Sequence, residues 1–194
     1  MDVLLSLCLG VALSAASGFR IFIPPLAMSL AANFGDYNLS PQFEWLGTTP
    51  ALIALGLATV VELLAYYIPV VDNLLDSIEL PTAIAVGTVL TGANLGDVNP
   101  ILQWTIAVVA GGGTAGAIEG AAALTRLAST GLTGGMGNIF IATMEALSSA
   151  VLSILALSLP FLAIALVIGL LIFAVTKIIK YFPILVQKIK RRRS

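Results

Sequence analysis

The sequence contains no histidine and a single cysteine, Cys8. The lack of histidine removes the commonest metal ligand and the commonest general base. One cysteine excludes an intrachain disulfide and a CxxC metal site. No Ser-x-x-Lys motif and no nucleophile elbow occur. We therefore expect no metal and no cofactor, and the only enzyme class left open is carboxylate chemistry on a lipid.

Charged residues are also scarce. They make up 10% of the 194 residues, hydrophobic residues make up 59%, and the mean hydropathy is +1.06. An ordinary soluble domain carries about 25% charged residues. A chain so poor in charge can cover a lipid-facing surface but not a water-facing one, so the composition predicts an integral membrane protein.

Basic residues are nearly absent before the C-terminal tail. Only Arg20 and Arg126 precede the last 18 positions, which hold the other seven: Lys177, Lys180, Lys188, Lys190, Arg191, Arg192 and Arg193. The positive-inside rule places such a tail in the cytoplasm. We interpret residues 181–194 as a basic interfacial segment on an anionic membrane, and we expect no nucleic-acid partner. Asp2 stands where a signal peptide would be basic, so the first apolar stretch is predicted to be retained.

Apolar segments occur at 3–33, 50–70, 81–95, 100–129, 138–159 and 160–180. A straight transmembrane helix needs about 20 residues. The first and fourth segments are too long for one straight span and contain helix-breaking residues. We predict that both are broken helices or re-entrant hairpins, with breaks at Gly18, Pro24, Pro25, Gly112, Gly113 and Gly116.

These segments predict an all-α, polytopic membrane helix bundle of about six segments in one transmembrane domain, residues 1–180. Both termini are predicted to be cytoplasmic, with six crossings or with four if segments one and four re-enter. Arg20 and Arg126, and Glu62 and Glu145, recur in similar order. This recurrence suggests an inverted repeat with halves 1–97 and 98–180, a layout common in transporters. Chance similarity is the alternative.

Five ionisable residues lie within the apolar segments: Arg20, Glu62, Glu119, Arg126 and Glu145. Because a bare charge in hydrocarbon costs several kcal/mol, each needs a partner or a wet cavity. We expect Arg20 to pair with Glu62, and Arg126 with Glu145 or Glu119.

Two interpretations of this set remain open. Half-helix N-termini and the two arginines would bind an anion, while an unpaired glutamate would carry a proton or a cation. Alternatively, the ion pairs only lock the bundle.

A second acidic group, Asp72, Asp76 and Glu79, has spacings of four and three that share one helical face. It is either a solvated face next to the membrane or a cation site at the mouth of the protein.

Three groups of residues resemble a known family. They are the string Ser17–Pro24 (SGFRIFIP), Glu62 followed by Ile68-Pro69 and Asp72, and Thr125-Arg126 followed by Asn138 and Glu145. Together they resemble the small bacterial membrane proteins grouped as domain-of-unknown-function family 4126, over residues 5–175. The resemblance implies a multi-pass protein of the bacterial plasma membrane. It assigns no activity.

The first functional hypothesis is a small transporter, flippase or channel-like protein for an ion, a small solute or an anionic lipid. The second is a structural subunit that packs its glycine face, Gly111 to Gly116, against a membrane partner or another copy of itself. The least favoured is an intramembrane lipid-modifying enzyme.

Overall fold

A computed structural model describes the backbone of residues 2–35, 37–96 and 98–193. Side chains are described there except at 69–70, 72–74, 76–77, 177–178 and 180–193. The predicted all-α class is confirmed, and the described residues form no strand. In chain order the elements are α1 (Val3–Ser17), α2 (Ile23–Phe34), a 3₁₀ helix (Pro41–Gly47), α3 (Thr49–Ala65), α4 (Pro69–Asn94), α5 (Pro100–Ile106), a π-helical turn (Ala107–Gly112), α6 (Gly113–Thr133), α7 (Met136–Ser158) and α8 (Pro160–Arg193).

The first segment is a helical hairpin, α1–α2, whose tip is formed by residues 18–22. The sequence predicted a helix break at Pro24 and Pro25, but these prolines do not interrupt a helix. They lie at the start of α2, where the N–H groups that proline lacks would have no helical partner in any case. The break comes instead at the C-terminal cap of α1, Gly18. A Cβ there would lie 2.5 Å from the Ala115 carbonyl oxygen, so only glycine permits this approach to α6.

The fourth segment is not broken, which corrects the prediction. Residues Pro100–Thr133 form one 34-residue helix that contains the π-helical turn. The glycines do not unwind the helix; they allow it to pack closely against α4. A Cβ on Gly112 would lie 2.6 Å from Thr88 Oγ1, and one on Gly116 would lie 2.9 Å from Ile84. A Cβ on Gly113 would have no described residue within 4 Å.

The bundle has two ends, which we define by their loops. The loop face holds residues 37–48, where Ser40 N donates to Ala93 O at 3.0 Å. The turn face holds residues 66–68 and the α6–α7 turn at Gly134 and Gly135, both with positive φ, a conformation that favours glycine. Tyr67 in the first turn hydrogen-bonds Thr143 of α7 at 3.1 Å, which places both turns at the same end.

The N-terminus and the end of the apolar part of α8 lie on opposite faces. Ser14 of α1 donates to Gly87 O at 2.6 Å and Gly10 packs near Thr91, so α1 runs antiparallel to α4 and begins at the loop face. In α2, Ser29 donates to Leu46 O at 2.6 Å, so the hairpin returns to that face. α8 starts beside the end of α7, at the loop face, and runs toward the turn face.

The exterior of the bundle is apolar, and its interior combines alanines with larger side chains such as Leu13, Met28 and Leu90. Val61, Val109, Phe140 and Phe173 are exposed, while residues such as Ala16 are fully buried. By length and composition two helices, Pro100–Thr133 and Met136–Ser158, are able to cross a membrane. A third is added if the bent pair Pro41–Gly47 and Thr49–Ala65 is one span. Six spans and the repeat are therefore not confirmed.

Candidate functional site

Both arginines of the apolar segments lie in the interior of the bundle. Arg20, at the hairpin tip, is 0% exposed, and Arg126 of α6 is 1% exposed. Each buried guanidinium must meet acceptors, because an unpaired ion in a low-dielectric interior costs several kcal/mol.

Arg20 meets α7 and α4. Its Nη2 lies 3.0 Å from Glu145 Oε2 and donates to Ala142 O at 3.1 Å, and its Nη1 lies 3.8 Å from Glu79 Oε1. The expected pairing of Arg20 with Glu62 is wrong, because Glu62 accepts hydrogen bonds from backbone amides instead.

Glu62 of α3 binds the backbone of the hairpin tip. Its Oε1 accepts from Ile21 N at 2.7 Å, and its Oε2 accepts from Phe22 N at 3.1 Å. The break between α1 and α2 leaves these amides without helical partners. A carboxylate accepts such N–H groups strongly, so Glu62 holds the tip in place.

Arg126 lies at the centre of three carboxylates. Its Nη1 contacts Glu79 Oε2 at 2.6 Å, its Nη2 contacts Glu119 Oε2 at 3.3 Å, and its Nε contacts Glu145 Oε1 at 3.3 Å. Glu119 and Arg126 are seven residues apart, which puts them on one face because α6 is continuous.

Glu79 was expected, together with Asp72 and Asp76, either on a solvated face next to the membrane or in a cation site at the mouth of the protein. It is buried instead, because its face of α4 points toward Arg126. The side chains of Asp72 and Asp76 lie outside the described residues, so the cation mouth is untested. Arg20, Glu62, Glu79, Glu119, Arg126 and Glu145 together form what we call the charge cluster.

Tyr66 completes the cluster and was not predicted from the sequence. Its ring lies 3.6 Å below Arg20 Cζ and 5.3 Å from Arg126 Cζ. A guanidinium over an aromatic ring gains cation–π attraction. The available signal was its spacing: Tyr66 follows Glu62 by four residues on one helical face.

The charge cluster has a surplus of acid. It contains four carboxylates and two guanidiniums, and both arginines bridge Glu79 to Glu145. Carboxylates contact both guanidiniums, although Arg20 Nε and Nη1 make no hydrogen bond within the described residues. At the hairpin tip, the N–H groups of Ile21 and Phe22 donate to Glu62, so these two amides are not free to bind an anion. Among the described residues, no set of acids has an arrangement that could hold a metal ion.

Two cavities reach the charge cluster through the apolar exterior. One of about 360 Å³ lies between α3 and α4 and is bordered by Glu62, Tyr66 and Glu79. Another of about 260 Å³ lies between α6, α7 and α8 and is bordered by Glu145. Their described lining residues do not overlap, so the cluster separates the two cavities.

An apolar exterior around a buried ionic centre defines an α-helical membrane protein. The chain belongs to the family described as Domain of unknown function (DUF4126), whose model matches residues 7–180. That match confirms the resemblance seen in the three groups of residues. No curated protein and no solved structure matches the chain.

Proposed function

We propose that this protein is a small transporter or channel-like protein that moves a proton or an organic cation by way of the charge cluster. The observation that carries the proposal is the acid surplus, four buried carboxylates around two buried guanidiniums. Four bare carboxylates leave two negative charges uncompensated within the cluster, which the interior of a membrane protein tolerates poorly. A bound proton or cation relieves this excess.

The arrangement of Glu79 and Glu145 supports movement rather than simple storage of charge. Each glutamate borders a different cavity, and Arg20 and Arg126 contact both. When a cation or proton neutralises one carboxylate, the arginines turn toward the other. Ion pairs that repack between two arrangements accompany known switching transitions.

The proposed orientation puts the turn face and the basic tail in the cytoplasm and the loop face outside. The α1–α2 hairpin then enters from outside and returns, while α3, α4, the Pro100–Thr133 helix, α7 and α8 cross. The N-terminus is external in this arrangement, unlike in the sequence-based prediction. A bacterial plasma membrane remains the proposed location.

The test is flux into liposomes that contain the purified protein and a pH-sensitive dye, under an imposed membrane potential. We expect Glu145→Gln to lower proton or organic-cation flux at least about tenfold, since a hydrogen bond to a charged group is worth about 1.5–3 kcal/mol and about 1.4 kcal/mol corresponds to a factor of ten. Glu44→Gln is the matched control because Glu44 is an exposed acid in the 3₁₀ helix. Equal flux in the folded Glu145→Gln protein and the wild type would contradict the proposal.

The hypothesis of a structural subunit rested on a glycine face, Gly111 to Gly116, that would be free to pack against a partner. Gly111, Gly112 and Gly116 face α4 within the same chain, at distances that leave no room for a partner helix. We therefore propose transport alone.

A further inference from the structure

The cavity between α3 and α4 changes character from its mouth to its floor. Leu57, Val61 and Ile78 border it and are each more than half exposed on the apolar exterior. Its floor is formed by the buried Glu62, Tyr66 and Glu79. A molecule that enters here passes apolar side chains and then meets carboxylates.

The floor contains an acceptor without a donor. Glu79 is 1% exposed, and its Oε1 accepts no hydrogen bond from the described residues. Arg20 Nη1 lies 3.8 Å from this oxygen, which is beyond hydrogen-bonding distance. A buried acceptor left unsatisfied costs about 1–3 kcal/mol. A ligand that brings an N–H group to this oxygen recovers that energy.

We propose that the α3–α4 cavity binds an amphiphilic organic cation, an alkyl chain carrying an ammonium head, which enters sideways from the hydrocarbon. The chain packs along Leu57, Val61 and Ile78, and the head donates to Glu79. The acid surplus excludes an anionic head, and an uncharged chain alone leaves Glu79 Oε1 unsatisfied. This inference rests on the proposed function and names its substrate class.

The experiment uses the full-length protein in nanodiscs of uncharged phosphatidylcholine. The probe is a primary dodecylamine that carries a photoactivatable diazirine on its chain, and the labelled residues are mapped by mass spectrometry. We expect labelling concentrated on the α3 and α4 residues at the cavity mouth. Excess dodecylamine competes with the probe, whereas excess dodecanol does not. Labelling spread evenly over all exposed helices would overturn the inference.

Two variants separate binding from folding. Glu79→Gln removes the acceptor charge and is expected to weaken labelling at least tenfold. Since Glu79 also pairs with Arg126, Val61→Trp provides a second test by filling the mouth without touching the charge cluster. Its matched control is Val60→Trp, because Val60 is an exposed neighbour on α3 that does not line the cavity. Equal labelling in Val61→Trp and Val60→Trp would refute the inference.

The flux assay keeps this inference distinct from the proposed function. Proton flux that is sensitive to Glu145→Gln, in a protein without focused labelling, would refute the amphiphile site and leave transport standing. Focused, Val61-sensitive labelling in a protein that moves no ion or amine would support the site and refute transport.

Discussion

At the scale of single residues, the molecule depends on how six charges share one small volume. Arg126 contacts three carboxylates, while Glu62 accepts hydrogen bonds from two backbone amides of the hairpin tip. A buried ion pair is weak evidence of net stability, but removing one member is costly because a bare charge remains. The contribution of each ion pair to the free energy of unfolding is therefore measured by changing both partners, singly and together.

Arg126→Gln is expected to destabilise the protein by about 3–5 kcal/mol, because three carboxylates lose their shared cation. The double variant Arg126→Gln with Glu79→Gln is expected to cost at least about 1 kcal/mol less than the sum of the two single variants. Equilibrium unfolding of the purified protein in detergent micelles measures these differences. Arg126→Gln combined with the exposed Glu44→Gln serves as the control and is expected to be additive. Additivity in the Glu79 pair would show that the two residues do not interact.

For the charge cluster, the sequence predicted which residues need polar partners but not which partners they have. The cost of a charge in an apolar segment predicted polar surroundings for five residues: Arg20, Glu62, Glu119, Arg126 and Glu145. Their pairing did not follow, because it depends on which helices are neighbours. Glu79 was misplaced for a related reason. Its two acidic neighbours in the sequence suggested a solvated face, while its true partner lies 47 positions away on α6.

At the scale of elements, glycine decides how closely helices approach. The π-helical turn and α4 meet where a Cβ on Gly111 would lie 2.5 Å from Gly87 O, while a Cβ on Gly113 would have no neighbour within 4 Å in the part of the chain that the structure describes. Sequence identified the cluster of glycines but not its purpose. Glycine permits both an unwound chain and a close crossing, and only the position of α4 distinguishes them.

Gly111→Ala is expected to destabilise the bundle by about 1–3 kcal/mol, the usual cost of forcing extra atoms into a packed core. Gly113→Ala is the matched control. It is expected to be neutral or stabilising, because alanine favours a helix by up to about 1 kcal/mol over glycine. The same micelle unfolding experiment compares them. Equal stability of the two variants would contradict the close crossing.

At the scale of the whole molecule, the number of crossings is the point where sequence and structure differ most. The sequence-based prediction rests on the number of apolar segments, and it treats the first and fourth segments in the same way. Segment one folds back at Gly18, and segment four continues through its glycines as one helix. An even count with both ends inside thus becomes five proposed crossings with ends on opposite faces.

Single cysteines test this arrangement in the Cys8→Ser background. We expect Asp2→Cys and Thr48→Cys to react with an impermeant maleimide from outside the cell. Met136→Cys, and a cysteine added after Ser194, are expected to react only after the membrane is opened. The exposed positions 2, 48 and 136 make the labels accessible. Protection of Asp2→Cys until the membrane is opened would restore the arrangement with both ends inside.

The basic tail at the end of α8 has a consequence for biosynthesis. Seven of the nine cationic residues lie within the last 18 positions, and the two others are neutralised inside the bundle. The ribosome therefore completes every preceding helix before the main signal for orientation exists. Charges at the C-terminus are able to set the topology of helices made earlier. Nascent chains that stop short of Lys177 are then expected to insert in both orientations, and the finished tail selects one.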